Sequence, residues 1–354
     1  MASSVRPASV ISSFFDSERF AMQYRFLGKS QLQVSALCLG TMMFGDQTDE
    51  AEAASIVAHA REHGVNYMDT ADVYTKGASE AMLGKLLKGQ RHDWVLATKL
   101  GNKMSERPNE GRYSRAWMLR EVEASLARLQ TDHVDILYLH RDYEDMDLEE
   151  PLYAIEALLR AGKIRYWGVS NFRAWRIAEL VHGARRIGMP GPTVCQPYYN
   201  LLNRMPEVEI LPACRHYGLG VTPYSPVARG VLTGKYLPGQ APEAGSRAGR
   251  GDRRMGQTEF RQESLAIAQT LMQHAQARGV TLAQFATAWV LAHRSVSSVI
   301  AGPRTLAQWQ DYLPALDYTV TPEDEALVDG LVAPGHPSTP GYTDPAYPLQ
   351  ARRA

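Results

Sequence analysis

Val65-Asn66-Tyr67-Met68-Asp69-Thr70-Ala71-Asp72-Val73-Tyr74 opens as a short apolar, strand-like run, stops on a carboxylate, and reaches a phenol just past a turn. The same grammar recurs downstream. Trp94-Val95-Leu96-Ala97-Thr98 ends on Lys99, and Val134-Asp135-Ile136-Leu137-Tyr138-Leu139 ends on His140. Laid side by side as parallel strands of one barrel, these segments bring Asp69, Tyr74, Lys99 and His140 to the C-terminal rim. Barrel enzymes keep their chemistry there.

Outward from this stretch, strand-like and helix-like segments alternate. Further strands are expected at Ala36–Gly40, Ile164–Ser170, Thr193–Gln196, Gly220–Tyr224 and Ser298–Ile300, with Tyr67–Asp69, Trp94–Lys99 and Val134–His140 making eight. Helices are expected from Thr48-Asp49 to His63-Gly64, and over Ser79–Leu87, Trp117–Leu129, Leu148–Ala161, Ala174–Ile187 and Val208–Tyr217. The later ones are Leu265–Arg278, Leu282–His293 and Leu306–Leu313. Such alternation predicts parallel strands joined by right-handed crossovers. Eight of them in 354 residues favour an α/β fold of the (β/α)8 TIM-barrel type over an open sheet. No Gly-x-Gly-x-x-Gly follows a strand, which removes the commonest Rossmann signal.

Three additions surround the barrel. Met22–Leu27 and Leu32–Val34 flank Gly28-Lys29-Ser30 as an N-terminal β-hairpin. A Gly-, Arg- and Pro-rich stretch, Arg229–Glu263, is a long loop after strand 7, and loops of that length are usually functional or disordered. The C-terminus carries Pro334, Pro337, Pro340, Pro345 and Pro348 with Tyr342 and Tyr347 between them. The expected organisation is a flexible leader over 1–21, the barrel over 22–333, and a Pro-rich tail over 334–354 that either wraps back over the barrel mouth or hangs loose.

Composition narrows the function. Lys plus Arg and Asp plus Glu both number 38, so no basic field points to nucleic acid. The apolar runs are too short for a membrane span. Residues 1–21 lack the apolar core and cleavage site of a signal peptide. Cys38, Cys195 and Cys214 are widely spaced without metal-ligand spacing, and Cys38 and Cys195 lie in strand-like runs, which reads as buried reduced thiols. A cytoplasmic protein acting on a small molecule, free to form a homo-oligomer, is the expectation.

Singly, each rim residue has an ordinary reading: Tyr74 a loop residue, Lys99 a solvated rim charge, Asp69 a turn cap, His140 a core histidine. Together they form a proton-transfer device. A free phenol has a pKa of about 10. A neighbouring cation such as Lys99 lowers it, Asp69 holds that cation, and His140 meets a carbonyl oxygen. An acid aimed at a carbonyl suits hydride addition, because the developing alkoxide must be protonated.

At these residues the sequence resembles the aldo-keto reductases, over Met22 to about Asp329. The resemblance rests on Asn66–Tyr74, Ala97-Thr98-Lys99, Tyr138-Leu139-His140, Gly162–Phe172, Gln196–Asn200, Tyr224–Tyr236 and Ile300–Thr305. It looks closer to the branch of potassium-channel β subunits and bacterial glyceraldehyde-phosphate-type reductases than to the aldose reductase branch. The family implies a tetrad of Asp69, Tyr74, Lys99 and His140, with Tyr74 as general acid. It also implies NADPH/NADP+ as cofactor. Ser170, Asn171 and Gln196 would hold the nicotinamide carboxamide, and Tyr224 would stack on its ring. Thr41, Pro226 and Val227 would contact the dinucleotide, and the small-residue loop of Ser225, Gly230, Leu232, Gly234 and Lys235 would approach its pyrophosphate with backbone N–H groups and one cation. Gly302 and Arg304 would meet the 2′-phosphate end, with Arg304 opening the last helix; Gln308 and Asp311 would face the adenosine. Relatives often carry Glu-Asn where this chain has Asp311-Tyr312, which permits NADH as well.

Two functions follow: an NADPH-dependent reductase of aldehydes and ketones, or an NADP(H)-binding regulatory subunit with residual chemistry. The substrate stays open among polyols, sugar-derived ketones, quinones and aromatic aldehydes. Its contacts should come from Met42-Met43-Phe44, Tyr113, Trp117, Arg141–Met146 and the tail. Arg141 either meets a substrate anion or pairs with Asp142 or Glu144.

Overall fold

The strand-like runs fold as strands because they are apolar on both faces, the signature of a parallel sheet covered by helices. In the computed structural model, which describes residues 22–348, an antiparallel hairpin of β1 (Tyr24–Phe26) and β2 (Gln33–Ser35) comes first. The predicted leader, 1–21, and residues 349–354 lie outside the described residues. There follow β3 (Leu37–Gly40), α1 (Glu50–Glu62), β4 (Tyr67–Asp69), α2 (Ala78–Leu86), β5 (Val95–Leu100), α3 (Arg115–Leu129), β6 (Val134–Leu139) and α4 (Glu149–Arg160). Next come β7 (Ile164–Ser170), α5 (Ala174–Arg186), β8 (Val194–Gln196), α6 (Ile210–Tyr217) and β9 (Gly220–Val221). The chain ends with α7 (Arg253–Gln257), α8 (Gln262–Ala277), α9 (Leu282–Ala292), β10 (Val299–Ala301), α10 (Leu306–Tyr312) and α11 (Pro322–Leu331).

Eight parallel strands run in the order β10-β3-β4-β5-β6-β7-β8-β9. Parallel bridges Val221–Val296 and Tyr224–Ile300 join the outer members, with the Ile300 amide donating to Pro223 O at 3.0 Å. The sheet therefore closes as a (β/α)8 barrel. Register decides what meets at the rim: Gly40 lies beside Asp69, Lys99 beside Tyr138, and Ser170 beside Gln196.

Two apolar layers hold the barrel. Leu37, Leu39, Leu96, Leu137 and Val169 face outward to the helices, while Cys38, Tyr67, Ala97, Ile136, Tyr138 and Val194 fill the interior. Inside, the Tyr67 and Tyr138 hydroxyls meet at 2.7 Å, so each buried phenol has a partner. The hairpin plugs the open end by inserting fully buried Leu27 and Val34 into this interior cluster. Its turn needs glycine: Gly28 has φ +61°, and a Cβ there would sit 2.4 Å from Gly218 O.

Several boundaries differ from expectation. The strand predicted over Gly220–Tyr224 keeps ladder pairing only at Gly220–Val221, because Pro223 has no N–H to donate; Tyr224 rejoins through single bridges. The long loop contains α7, started by Asp252 accepting from the Met255 amide at 2.7 Å. Helix α11 was not expected at all. It starts on a capping box in which Thr321 and Asp324 satisfy each other's amides, a Thr-Pro-Glu-Asp signature visible in the sequence. All three cysteines are buried and free.

Leu27→Ala, which empties the plug without touching the rim, is expected to cost about 2–5 kcal/mol. Urea unfolding should show a lower midpoint at unchanged slope; a loss under 1 kcal/mol, by the same scale, would mean the hairpin does not seal the barrel.

Candidate active site

The ends of β4, β5 and β6 deliver one carboxylate, one ammonium and one imidazole to the same spot. Lys99 is fully buried, and its Nζ donates to Asp69 Oδ1 at 2.5 Å, to Thr70 O at 2.7 Å and to Tyr74 Oη at 3.0 Å. Three acceptors use all three ammonium protons. The other Asp69 oxygen accepts from Gln196 Nε2 at 2.8 Å, tying β4 to β8 across the barrel. Tyr74 reaches this point because the chain after β4 makes one tight turn, with Thr75 and Lys76 at φ 49° and 53°. The His140 ring stands edge-on to Tyr74, centroids 5.8 Å apart.

A second set of groups continues around the rim. Asn171, at φ 60°, donates from Nδ2 to His140 O at 2.9 Å and to Ser170 Oγ at 3.0 Å, while its Oδ1 accepts from Tyr224 Oη at 2.8 Å. Ser170 Oγ in turn donates to Gln196 O at 2.9 Å. Above lies a cleft of about 350 Å³ with Asp69, Tyr74 and His140 on its floor.

The cleft is electropositive. Arg229, Lys235, Arg247, Arg250, Arg254 and Arg304 line it. Three are neutralised within the protein: Arg229 by Glu259 at 3.0 Å, Arg247 by Asp252 at 2.8 Å and Arg254 by Asp344 at 2.7 Å. Lys235, Arg250 and Arg304 have no carboxylate partner among the described residues. Arg250 and Arg304 converge on Gln47 Oε1, at 2.8 and 3.4 Å.

The Aldo/keto reductase family model matches residues 36–333. The chain belongs to the aldo/keto reductase family. It is 39% identical to a probable voltage-gated potassium channel subunit beta of Arabidopsis thaliana, across 84% of this chain and 92% of that protein. It is 34% identical to the uncharacterized oxidoreductase YrpG of Bacillus subtilis, across 92% and 99% of the two chains. It is also 32% identical to an L-glyceraldehyde 3-phosphate reductase of Escherichia coli O157:H7, across 90% and 95%. Family membership makes the protein an NAD(P)H-dependent oxidoreductase.

In this aldo/keto reductase the residues singled out from sequence fall into distinct groups. Ser170, Asn171, Gln196, Tyr224, Ser225, Pro226, Val227, Gly230, Lys235, Gly302, Arg304, Gln308 and Asp311 line the cleft. Thr41 lines it too, but its hydroxyl is spent on Asp69 O at 3.1 Å and on Ser79, leaving no side-chain group for a ligand. Leu232 is fully buried in the core and does not face the cleft. Arg304 precedes α10, whose N-cap is Thr305, and α11 follows, so it does not open the last helix. Asp311 Oδ1 is engaged by Gln284 at 2.9 Å and Thr281 at 3.3 Å, and Gln308 Oε1 accepts from the Arg304 amide at 2.9 Å. Trp117, expected at the mouth, is buried and does not line the cleft.

Sequence reasoning missed Gln47, Arg229, Arg247, Arg250 and Arg254. The signal was there, an arginine-rich run Arg247–Arg254 in the long loop, but nothing local says which arginines turn inward. Among the described residues no helix is long and apolar enough to cross a membrane.

Electrostatics modify one expectation. Burial pushes the Tyr74 phenol above its ordinary range, and Lys99 pulls it down only in part because Asp69 offsets the ammonium. Lys99 itself is held above the usual lysine range: Asp69 and Tyr74 outweigh the cost of its burial. Burial, with Lys99 and Arg141 nearby, drives His140 well below the ordinary histidine value. Its Nδ1 is buried with no acceptor to hold a second ring proton, which together with that shift favours the neutral imidazole.

A pH titration followed by long-range nitrogen–proton NMR should show His140 still neutral below pH 6.5, the ordinary value. Protonation of His140 at or above that value would overturn the assignment.

Proposed function

We propose that the protein reduces an aldehyde or ketone to the alcohol with NADPH as hydride donor and Tyr74 as proton donor. The observation that carries this is the phenol of Tyr74 held 3.0 Å from a buried ammonium on the floor of a cation-lined cleft. The residues present fit the dinucleotide. Lys235, Arg250 and Arg304 are uncompensated charges for phosphate groups, Ser170, Asn171 and Gln196 offer amide and hydroxyl groups for a carboxamide, and Tyr224 offers a flat ring. Arg250 and Arg304 both reach Gln47 Oε1, which supports placing the extra phosphate of NADPH at that end.

When bound, NADPH supplies the hydride that reaches the carbonyl carbon. The neutral imidazole of His140 orients the carbonyl by donating an N–H to its oxygen. Tyr74 Oη–H then gives its proton to the developing alkoxide. Because burial keeps the phenol protonated, the acid is fully loaded at neutral pH. Once the proton has left, the phenolate lies against Lys99, whose charge now stabilises it without competition from water. Asp69 keeps Lys99 ionised throughout and is itself steadied by Gln196.

A second reading, an NADP(H)-binding regulatory subunit, is favoured by the similarity to the Arabidopsis channel subunit. Turnover separates the two. Bound NADPH should be oxidised in a single turnover by 4-nitrobenzaldehyde, and Tyr74→Phe should slow that step by about 10²–10⁴ while still binding NADPH. Binding without oxidation by the unsubstituted protein would favour the regulatory subunit. The rate of reduction should hold through neutral pH and fall only on the alkaline side of the ordinary tyrosine value of 10.0. Arg304→Ala should weaken NADPH binding by roughly tenfold relative to NADH, the scale of one charge-assisted contact; equal weakening of both would remove Arg304 from the 2′-phosphate.

A further inference from the structure

Arg141 follows His140 directly, and the three acids nearest to it in the chain that follows are already paired with other arginines. Asp142 pairs with Arg176 at 3.0 Å, Glu144 with Arg173 at 2.7 Å, and Asp145 with Arg112 at 2.5 Å. The guanidinium of Arg141 has no carboxylate partner among the described residues. Its hydrogen bond to Ala346 O is long, at 3.4 Å, and its Nε is buried without any partner. A half-buried cation left in this state is costly unless an anion visits it.

The surroundings hold this cation in place. The Tyr113 hydroxyl clamps the Arg141 peptide, donating to its carbonyl at 2.7 Å and accepting from its amide at 3.0 Å. Gly101, at φ +123°, makes room for the Tyr113 ring, since a Cβ there would lie 2.3 Å from it. The rings of Tyr143 and Tyr347 flank the guanidinium, 5.1 and 5.4 Å from it. Its remaining side opens on a cavity of about 1080 Å³ whose lining includes Phe172, Trp175, Tyr198 and Tyr342, adjoining the catalytic cleft. Asn171, Tyr224 and Tyr347 line both spaces, which makes the two direct neighbours around these three side chains.

We propose that Arg141 is the anion anchor of the substrate site, and that the preferred substrates are aldehydes or ketones carrying a carboxylate or phosphate. This rests on the reductase reading. The carbonyl oxygen lies on Tyr74 and His140 while the oxyanion takes the vacant face of Arg141, next to Tyr347. A fork-shaped guanidinium suits both oxyanions and can bind either through two parallel hydrogen bonds.

The test compares matched pairs reduced with NADPH: 4-carboxybenzaldehyde against methyl 4-formylbenzoate, and glyceraldehyde 3-phosphate against glyceraldehyde. The anionic member of at least one pair should show a kcat/KM at least tenfold higher, and the responding pair identifies carboxylate or phosphate. Arg141→Gln should cut that preference by about ten- to a hundredfold, mainly through KM, with Arg141→Lys retaining part of it. Rising salt should erode the preference. Equal loss for both members of a pair, or no preference in the unsubstituted protein, would overturn the anchor. Fluorescence titration of the NADP+ complex with 4-(hydroxymethyl)benzoate and with glycerol 3-phosphate gives a second readout. Binding lost in Arg141→Gln without any turnover would leave the anchor and sink the reductase. Turnover of neutral aldehydes with no Arg141-dependent anion binding would sink the anchor alone.

Discussion

Lys99 carries its charge where no water reaches it, and an ion stripped of water costs several kcal/mol unless the protein replaces the whole hydration shell. Here the replacement is complete: a carboxylate, a backbone carbonyl and a phenol, one for each proton. Those acceptors come from β4 and the turn that follows it, and Asp69 is braced in turn by Gln196 from β8. The ammonium is therefore satisfied only when the strands are in register and the barrel is closed. The hairpin plug, the Tyr67–Tyr138 pair and the outer helical layer all serve that condition from a distance.

From this centre a chain of hydrogen bonds runs around the rim. Asn171 links the His140 carbonyl to Tyr224, and Ser170 links Asn171 to the Gln196 carbonyl. Such a ring makes Asp69, His140 and the flat ring of Tyr224 parts of one network, so displacement of one member is felt by the rest. The outer layer is built from ion pairs between segments far apart in sequence. Arg254 of α7 grips Asp344 of the tail with two parallel hydrogen bonds, at 2.9 and 2.7 Å. That clasp fixes the stretch that carries Tyr347 to the boundary between the cleft and the adjoining cavity.

What was legible in the sequence was whatever repeats or ends a strand. Asp69, Lys99 and His140 announce themselves because each polar group terminates an apolar run, and parallel alternation dictates where such ends gather. Long-range pairing was not legible. Nothing near Thr41 says that its hydroxyl will be taken by Asp69 O, or near Asp311 that Gln284 will claim its carboxylate. Leu232 lay in a loop of small residues, yet an apolar side chain in such a loop turns to the core, and it does. Pro223 and the Thr321–Asp324 box were readable locally: the first shortens β9, the second starts α11.

Charge placement connects the two ends of the site. With 38 basic and 38 acidic residues, the chain has enough carboxylates to neutralise every cation at its mouth. It spends them selectively. Glu259, Asp252 and Asp344 neutralise arginines that anchor loops, and Asp142 and Glu144 neutralise Arg176 and Arg173 beside α5. Lys235, Arg250 and Arg304 are left without acids along one cleft, and Arg141 beside the next cavity. An internal carboxylate at any of these positions would have to be displaced by each arriving anion, at the cost of stranding a charge. Leaving the cations unpaired stores part of the binding free energy in the empty protein. The buried Lys99 is the opposite case: it must never meet a competing anion, and its shell is closed.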